Sequence, residues 1–122
     1  MFTNTKAFSG FAVDDVDKAR EFYGDTLGLN TSVENGLLTL HIAGERPTLV
    51  YPRPGHKPAE YTILNFPVED IEAAVDELVA RGVEFERYEG FDQDDRGIHR
   101  VGPPIAWFKD PAGNVLSVIQ LD

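Results

Sequence analysis

The feature that most constrains the fold of this chain is an internal repeat. The segment FAVDDVDKAREFYGDTLGLNTSVE (residues 11–34) aligns with FPVEDIEAAVDELVARGVEFERYE (residues 66–89), each position being shifted by 55 residues (66 − 11). Each copy starts with an apolar stretch and then carries an aspartate, Asp15 or Asp70, at the position of a helix N-cap. A carboxylate there accepts hydrogen bonds from the free N–H groups of the first turn. The repeat predicts two copies of one structural unit.

The helix predicted in each copy is amphipathic. Its apolar residues recur with the 3.6-residue period of a helix that packs on a core. Gly28 and Gly82 follow at the positions expected for a left-handed C-cap residue. Strand patterns come next, and Asn35-Gly36 between two of them is a strong signal for a hairpin. Each half is therefore predicted to form a strand, a helix and three strands.

These patterns predict the α+β class and one domain made of two βαβββ modules. Module one covers about residues 1–54 and module two about residues 61–122. Between them, about residues 52–60 (PRPGHKPAE) have the proline and glycine content of a linker. A length of 122 residues suits a single domain with a sizeable core.

Composition excludes several classes of function. Eleven basic and 21 acidic residues give a formal net charge of −10, which disfavours nucleic acid and anionic membranes as partners. The chain has no cysteine, so disulfides, thiolate nucleophiles and cysteine-based zinc sites are excluded. The first residues do not have the pattern of a signal peptide, and no apolar run approaches membrane-spanning length. We expect a cytoplasmic protein.

Three segments carry a resemblance to a known family: FAVDDVDKAREFYGDTLGL, FPVEDIEAAVDELVARGVEF and WFKDPAGNVLSVIQ. They resemble the vicinal oxygen chelate superfamily, which includes glyoxalase I, extradiol dioxygenases and bleomycin-binding proteins. The resemblance implies that the two modules form a cup-shaped mixed sheet with the helices on its convex side. It also implies a homodimer, and in the enzymes a divalent metal held in the cup by His, Gln or Glu side chains.

The four positions that align with those metal ligands are Phe8, Thr48, Ile63 and Ser117. Phenylalanine and isoleucine have no lone pair to donate, so the usual metal centre cannot form. An alignment shifted by one residue would offer Ser9, Leu49, Leu64 or Leu116, and none of these restores it. We therefore expect no metal and no cofactor.

His41 is the histidine of most interest among the three in the chain. In LLTLHIA, strand alternation directs Thr39 and His41 towards the cup. One histidine does not make a metal site, but imidazole titrates near neutrality and could act as a general base. His56 lies in the linker and His99 lies beside Arg100 in a polar segment, so neither is expected to bind a metal.

Strand alternation together with the resemblance predicts the residues that line the cup. The predicted ligand-binding residues are Phe8, His41, Thr48, Val50, Ile63, Asn65, Trp107 and Ser117. An apolar and aromatic concavity with a few polar groups suits a small organic ligand. The same residues could equally fill the cup themselves or pack in a dimer interface. The segment Gly90–Pro104 is long for a connection, which indicates a lid, a functional loop or mobility.

Three functions follow from these observations. The first is a metal-free protein of the glyoxalase/bleomycin-resistance type that binds a small organic molecule, aromatic or cationic, in the cup. The second is a glyoxalase-like lyase, isomerase or dioxygenase that uses unconventional metal ligands or a metal-free His41 base. The third is a dimeric interaction module with a filled cup. The four lost ligand positions favour the first, and no residue can be assigned a catalytic role from the sequence.

Overall fold

The computed structural model describes residues 1–44 and 46–121. The chain divides into two compact units, Met1–Lys57 and Pro58–Asp122. Each unit has one helix and its own mixed sheet, of four strands in the first unit and three in the second. The predicted α+β class is confirmed. A cup shared by both modules stays a prediction.

The first unit contains a helix and four strands. Its helix α1 (Val16–Arg20) continues into a π-helical stretch (Glu21–Thr26), and its strands are β1 (Ser9–Val13), β2 (Asn30–Glu34), β3 (Leu37–His41) and β4 (Thr48–Pro52). The order in the sheet is β1-β4-β3-β2. Strand β1 runs parallel to β4, and the other pairs are antiparallel.

Local chemistry in the first unit acts as the sequence predicts. The Asp15 carboxylate accepts a hydrogen bond of 3.1 Å from the Lys18 N–H and caps α1. Asn35 and Gly36 both have positive φ, 54° and 77°, which is the conformation of the two-residue turn that joins strands with a right-handed twist. The predicted N-cap and hairpin are both confirmed.

The second unit contains one helix and three strands. The helix is α2 (Ile71–Ala80), and the strands are β5 (Thr62–Val68), β6 (Ile105–Lys109) and β7 (Val115–Gln120). The order is β5-β7-β6, with β5 parallel and β6 antiparallel to β7. Asp70 caps α2 by accepting from the Ala73 N–H at 3.1 Å, as predicted.

The strand predicted at VEFERYE, directly after the helix of module two, is absent as a continuous strand. The stretch VEFERYE makes one isolated bridge, Phe85 to Phe108, and the Glu86 N–H donates to the Trp107 carbonyl at 2.8 Å. Pairing with β6 then stops because the Tyr88 N–H donates to the Gln93 side-chain oxygen at 2.8 Å. A side-chain acceptor therefore replaces the next link of the ladder.

In each unit one face of the sheet packs on the helix. The buried apolar residues of the first unit are Val13, Ala19, Tyr23, Leu38, Leu40 and Val50, and those of the second include Ile71, Val75, Ala106, Phe108, Leu116 and Val118. This burial is the main stabilising contribution to each unit. The opposite face of each sheet is left to carry the polar and aromatic residues considered below. None of the helices in the described residues is both long and apolar enough to cross a membrane.

Candidate functional site

Two of the predicted ligand-binding residues, Thr48 and Val50, lie on the helix-packed face of the first sheet. The register pairs Thr48 with Leu40 and Val50 with Leu38, and directly paired residues share a face. The expectation that both line the cup beside Thr39 is wrong. Strand alternation has a period of two, so an error of one residue in its phase moves every side chain to the other face.

The residue of β4 that shares a face with Thr39 is Leu49. Leu49 pairs with Thr39 on one side and with Gly10 on the other. A leucine offers no donor atom, so the corrected register does not create a metal ligand at this strand. Thr48 instead has its hydroxyl 3.2 Å from the Ser9 hydroxyl and is almost fully buried.

Phe8 and His41 are both exposed in the first unit. Phe8 precedes β1, and 63% of its surface is accessible. The His41 Nε2 lies 2.8 Å from the Ser32 hydroxyl on the neighbouring strand. His41 also lines an open depression of about 600 Å³, together with Asn30, Thr39, Ile42, Ala43, Gly44 and Pro47. A role of His41 as general base stays a prediction.

In the second unit, Asn65, Ser117 and Trp107 lie side by side on three neighbouring strands. The register pairs Ser117 with Asn65 on β5 and with Trp107 on β6, so all three share the face opposite α2. Ser117 is fully buried, and its hydroxyl donates to the Asn65 side-chain oxygen at 2.5 Å. Ile63 lies where the register shifts between Thr62 and Leu64, and it pairs with no residue of β7.

Trp107 is the centre of an aromatic cluster, which we define as Tyr88, Phe91, His99 and Trp107. The Trp107 ring centroid lies 5.6 Å from that of Tyr88, 5.3 Å from that of Phe91 and 6.1 Å from that of His99. Phe91 and His99 stack at 5.2 Å with an interplanar angle of 27°. Ring pairs at these distances are favourable beyond the area that they bury. The cluster is therefore a preformed aromatic wall.

The segment Gly90–Pro104 holds Phe91 and His99 in the cluster through hydrogen bonds. The Gln93 amide accepts from the Tyr88 N–H and donates to the carbonyls of Glu86 and Gly97, at 3.0 and 2.8 Å. The Arg87 guanidinium donates to the carbonyls of Asp94 and Asp95, at 2.7 and 2.6 Å. The segment thus has a defined conformation fixed by side chains.

Asp94 organises the turn in this segment. Its Oδ1 accepts from the N–H groups of Arg96 and Ile98, both at 2.9 Å, and its Oδ2 accepts from Arg100 at 3.1 Å. Desolvation raises the pKa of this carboxyl, but the hydrogen bonds from Ile98, Arg100 and Arg96 outweigh it, so the pKa lies below its ordinary value. A charged Asp94 is therefore part of the folded loop.

Two arginines connect the segment to α2. Arg96 donates to both carboxylate oxygens of Asp76, at 2.9 and 3.1 Å, and Arg100 donates to Glu72 at 2.9 Å. The hydrogen bonds from Arg96 lower the pKa of Asp76. Exposed ion pairs are individually weak, but this group of pairs fixes the side of the loop away from the aromatic cluster.

An open depression of about 380 Å³, which we call the cavity, lies against the aromatic cluster. It is lined by residues from β5, β6, β7 and the segments beside them: Glu60, Tyr61, Thr62, Tyr88, Glu89, Phe91, Trp107 and Val115. Of these, sequence reasoning assigned only Trp107 to a binding site. No local pattern identifies Tyr88 and Glu89, because their position depends on the hydrogen bond from Tyr88 to Gln93.

The residues at the family's metal-ligand positions do not fit a metal. Phe8 and Ile63 carry no donor atom, the Thr48 hydroxyl lies 3.2 Å from the Ser9 hydroxyl, and the Ser117 hydroxyl is committed to Asn65. Within residues 1–44 and 46–121, no group of three or more histidine and acidic side chains is placed to bind a metal ion. No step of a reaction can be derived through a metal bound at these positions.

The fold and this site define a class of protein: an α+β chain with two helix-on-sheet units and an aromatic cavity on the free face of the second sheet. The model of the Glyoxalase/Bleomycin resistance protein/Dioxygenase superfamily matches residues 7–118. The chain belongs to this superfamily, which confirms the resemblance found in the sequence. No curated protein sequence gives a significant match.

Several solved structures have the same fold. The protein SMU.1112c is 28% identical, with 92% of this chain and 95% of that chain covered and a TM-score of 0.67. TnmS3, an antibiotic binding protein from Streptomyces sp. CB03234, is 22% identical, with coverages of 95% and 96% and a TM-score of 0.65. The fosfomycin resistance protein FosX from Listeria monocytogenes is 13% identical, with coverages of 95% and 92% and a TM-score of 0.70. The last two show a common fold alone.

Proposed function

We propose that this chain is a metal-free binding protein for a small organic molecule with a planar ring, held against the aromatic cluster of the second unit. The observation that carries the proposal is the cavity of about 380 Å³ beside Trp107, Tyr88 and Phe91. Its volume lies in the range of small-molecule sites, which are mostly apolar with a few polar groups.

The chemistry of the lining suits a planar ring. Phe91 is about half exposed and Trp107 is partly exposed, so both rings can receive a ligand without unfolding of the loop. Their positions are already fixed by contacts with Tyr88 and His99, which reduces the ordering cost of binding. Aromatic side chains supply large contact areas with few rotatable bonds.

The residue types at the family's ligand positions support metal-free binding, since two of them, Phe8 and Ile63, carry no donor atom. The similarity in fold to TnmS3, an antibiotic binding protein, is in keeping with a binding role. We include in the proposal a homodimeric assembly, in line with the superfamily resemblance, and a cytoplasmic location, with which the lack of cysteine is compatible.

A thermal-shift panel of planar aromatic compounds tests the proposal. A ligand that binds only the folded state at about 100 times its Kd should raise the Tm by about 5–10 °C. It should also change the fluorescence of Trp107, the sole tryptophan in the chain. A panel that leaves both Tm and fluorescence unchanged would contradict the proposal and favour a module with a filled cavity.

A further inference from the structure

The charge of the cavity wall indicates which ligands it prefers. Two of its lining residues, Glu60 and Glu89, are acidic, and no lysine, arginine or histidine is found among its described lining residues. Both glutamates are exposed. The cavity therefore combines negative charge with aromatic rings.

Two basic side chains near the cavity residues in sequence, Lys109 and Arg87, are engaged elsewhere. Lys109 pairs with Glu86 at 3.5 Å, and Arg87 is bound to the carbonyls of Asp94 and Asp95. Across residues 1–44 and 46–121, no ion pair to Glu60 or Glu89 is seen. A ligand cation would thus meet carboxylates that the protein itself does not neutralise.

The rings of the cluster add to this preference. A cation near the face of a tryptophan, tyrosine or phenylalanine ring is attracted by the ring quadrupole. Burial, and then the charge of Glu86, raise the pKa of Tyr88, so its phenol stays protonated at neutral pH. Both the rings and the carboxylates therefore favour a positive charge, whereas the rings alone would accept any planar molecule.

We infer that the ligand of this cavity is a planar aromatic cation, held by Trp107, Tyr88 and Phe91 and selected for its charge by Glu60 and Glu89. This inference rests on the proposed function and adds the chemical class of the ligand. It assigns Glu60 and Glu89 as the residues that determine charge specificity.

A series of probes with one ring system and three charges tests the inference. At about pH 7.5, N-methylquinolinium is a cation, quinoline is neutral and quinoline-3-carboxylate is an anion. Titrations followed by Trp107 fluorescence should give N-methylquinolinium an affinity about three- to tenfold above that of quinoline, with the anion weakest. The preference should decrease at high salt, because the carboxylates are exposed.

Two matched double variants locate the effect. Glu60→Gln with Glu89→Gln should weaken the binding of N-methylquinolinium about three- to tenfold more than the binding of quinoline. Glu69→Gln with Glu84→Gln changes the net charge equally at two exposed residues outside the lining and should leave the preference intact.

The outcomes separate the inference from the proposed function. If all three probes bind the wild type equally, or if the two double variants weaken the cation equally, charge selection by Glu60 and Glu89 is overturned while the aromatic site stands. If none of the probes binds, both the inference and the proposed function are overturned.

Discussion

Ser117 illustrates how a single residue separates this chain from metal-binding relatives. The resemblance aligns Ser117 with a position where such relatives carry a carboxylate. The Ser117 hydroxyl is fully buried and donates a hydrogen bond to the Asn65 side-chain oxygen at 2.5 Å. A buried polar group needs a partner, and a hydroxyl needs only one acceptor to be satisfied. Ser117 therefore joins β7 to β5 by a side-chain hydrogen bond in addition to the backbone ladder.

A double-mutant cycle measures this hydrogen bond. Ser117→Ala should lower the free energy of unfolding by about 1 kcal/mol, because the Asn65 side chain is exposed and water can replace the lost partner. Ser117→Ala, Asn65→Ala and the double variant, compared by urea unfolding, should give a coupling energy of about 1 kcal/mol. Strictly additive effects would show that the pair contributes nothing specific to stability.

At the residue scale, the sequence predicts some faces correctly and others incorrectly. Asn65, Ser117 and Trp107 were expected on one face, and the strand register places them together. The prediction places Thr48 and Val50 on the wrong face because successive residues of TLVYP, such as Leu49 and Val50, are both apolar. The sequence of this strand therefore does not indicate which of its residues face the helix. The phase is set by pairing with β3, which is a non-local interaction.

At the scale of elements, the segment Gly90–Pro104 determines the shape of the site. Asp94 closes its turn, and Arg96 and Arg100 tie it to α2. A carboxyl whose pKa is lowered on folding stabilises the protein above the unfolded pKa of about 4 and loses this contribution as the pH falls through its folded value. The loop conformation should consequently be most stable near neutral pH and less stable at acidic pH.

The pH dependence of an Asp94→Asn variant tests this account. At about pH 6 the variant should be less stable than the wild type by about 1 kcal/mol, since it loses the charge-assisted bond from Arg100, and this figure allows for solvent screening. The difference should become smaller as the pH falls towards and through the lowered pKa of the Asp94 carboxyl, because protonation removes the charge that the variant lacks.

Asp95→Asn is the matched control for the loop. The Asp95 carbonyl accepts from Arg87, but no bond to its side chain is seen within the part of the chain that the structure describes. This variant should have the stability of the wild type at both pH values. A stability difference between Asp94→Asn and the wild type that does not become smaller as the pH falls from about 6 to about 3 would contradict the role of the Asp94 charge.

The elements that sequence could predict are those fixed by local chemistry. The N-caps at Asp15 and Asp70 and the Asn35-Gly36 turn depend on neighbouring residues only, and all three are confirmed. The ordered loop could not be predicted, because Gln93 and Arg96 find their partners through the tertiary fold. The interruption of the strand predicted at VEFERYE could not be predicted either, because the hydrogen bond from Tyr88 to Gln93 forms only in the folded loop.

For the molecule as a whole, the internal repeat explains why the fold could be predicted from the sequence and the binding site could not. Two copies of one pattern restrict the chain to α+β modules, and the family match over residues 7–118 agrees with this. The proposed site includes residues outside the two aligned segments, such as Trp107 and Phe91, so the repeat gives no information about them. The proposed function therefore depends on the residues of the site, and the fold alone does not determine it.

Calorimetric titration of chelator-treated protein with the tightest-binding compound of the quinoline series tests the central claim most directly. The account predicts binding without added metal, weakened about three- to tenfold by Phe91→Ala and unchanged by Phe2→Ala, which removes an exposed ring outside the cavity lining. Binding that appears only after a divalent metal is added, or that is unaffected by Phe91→Ala, would contradict a metal-free site at the aromatic cluster.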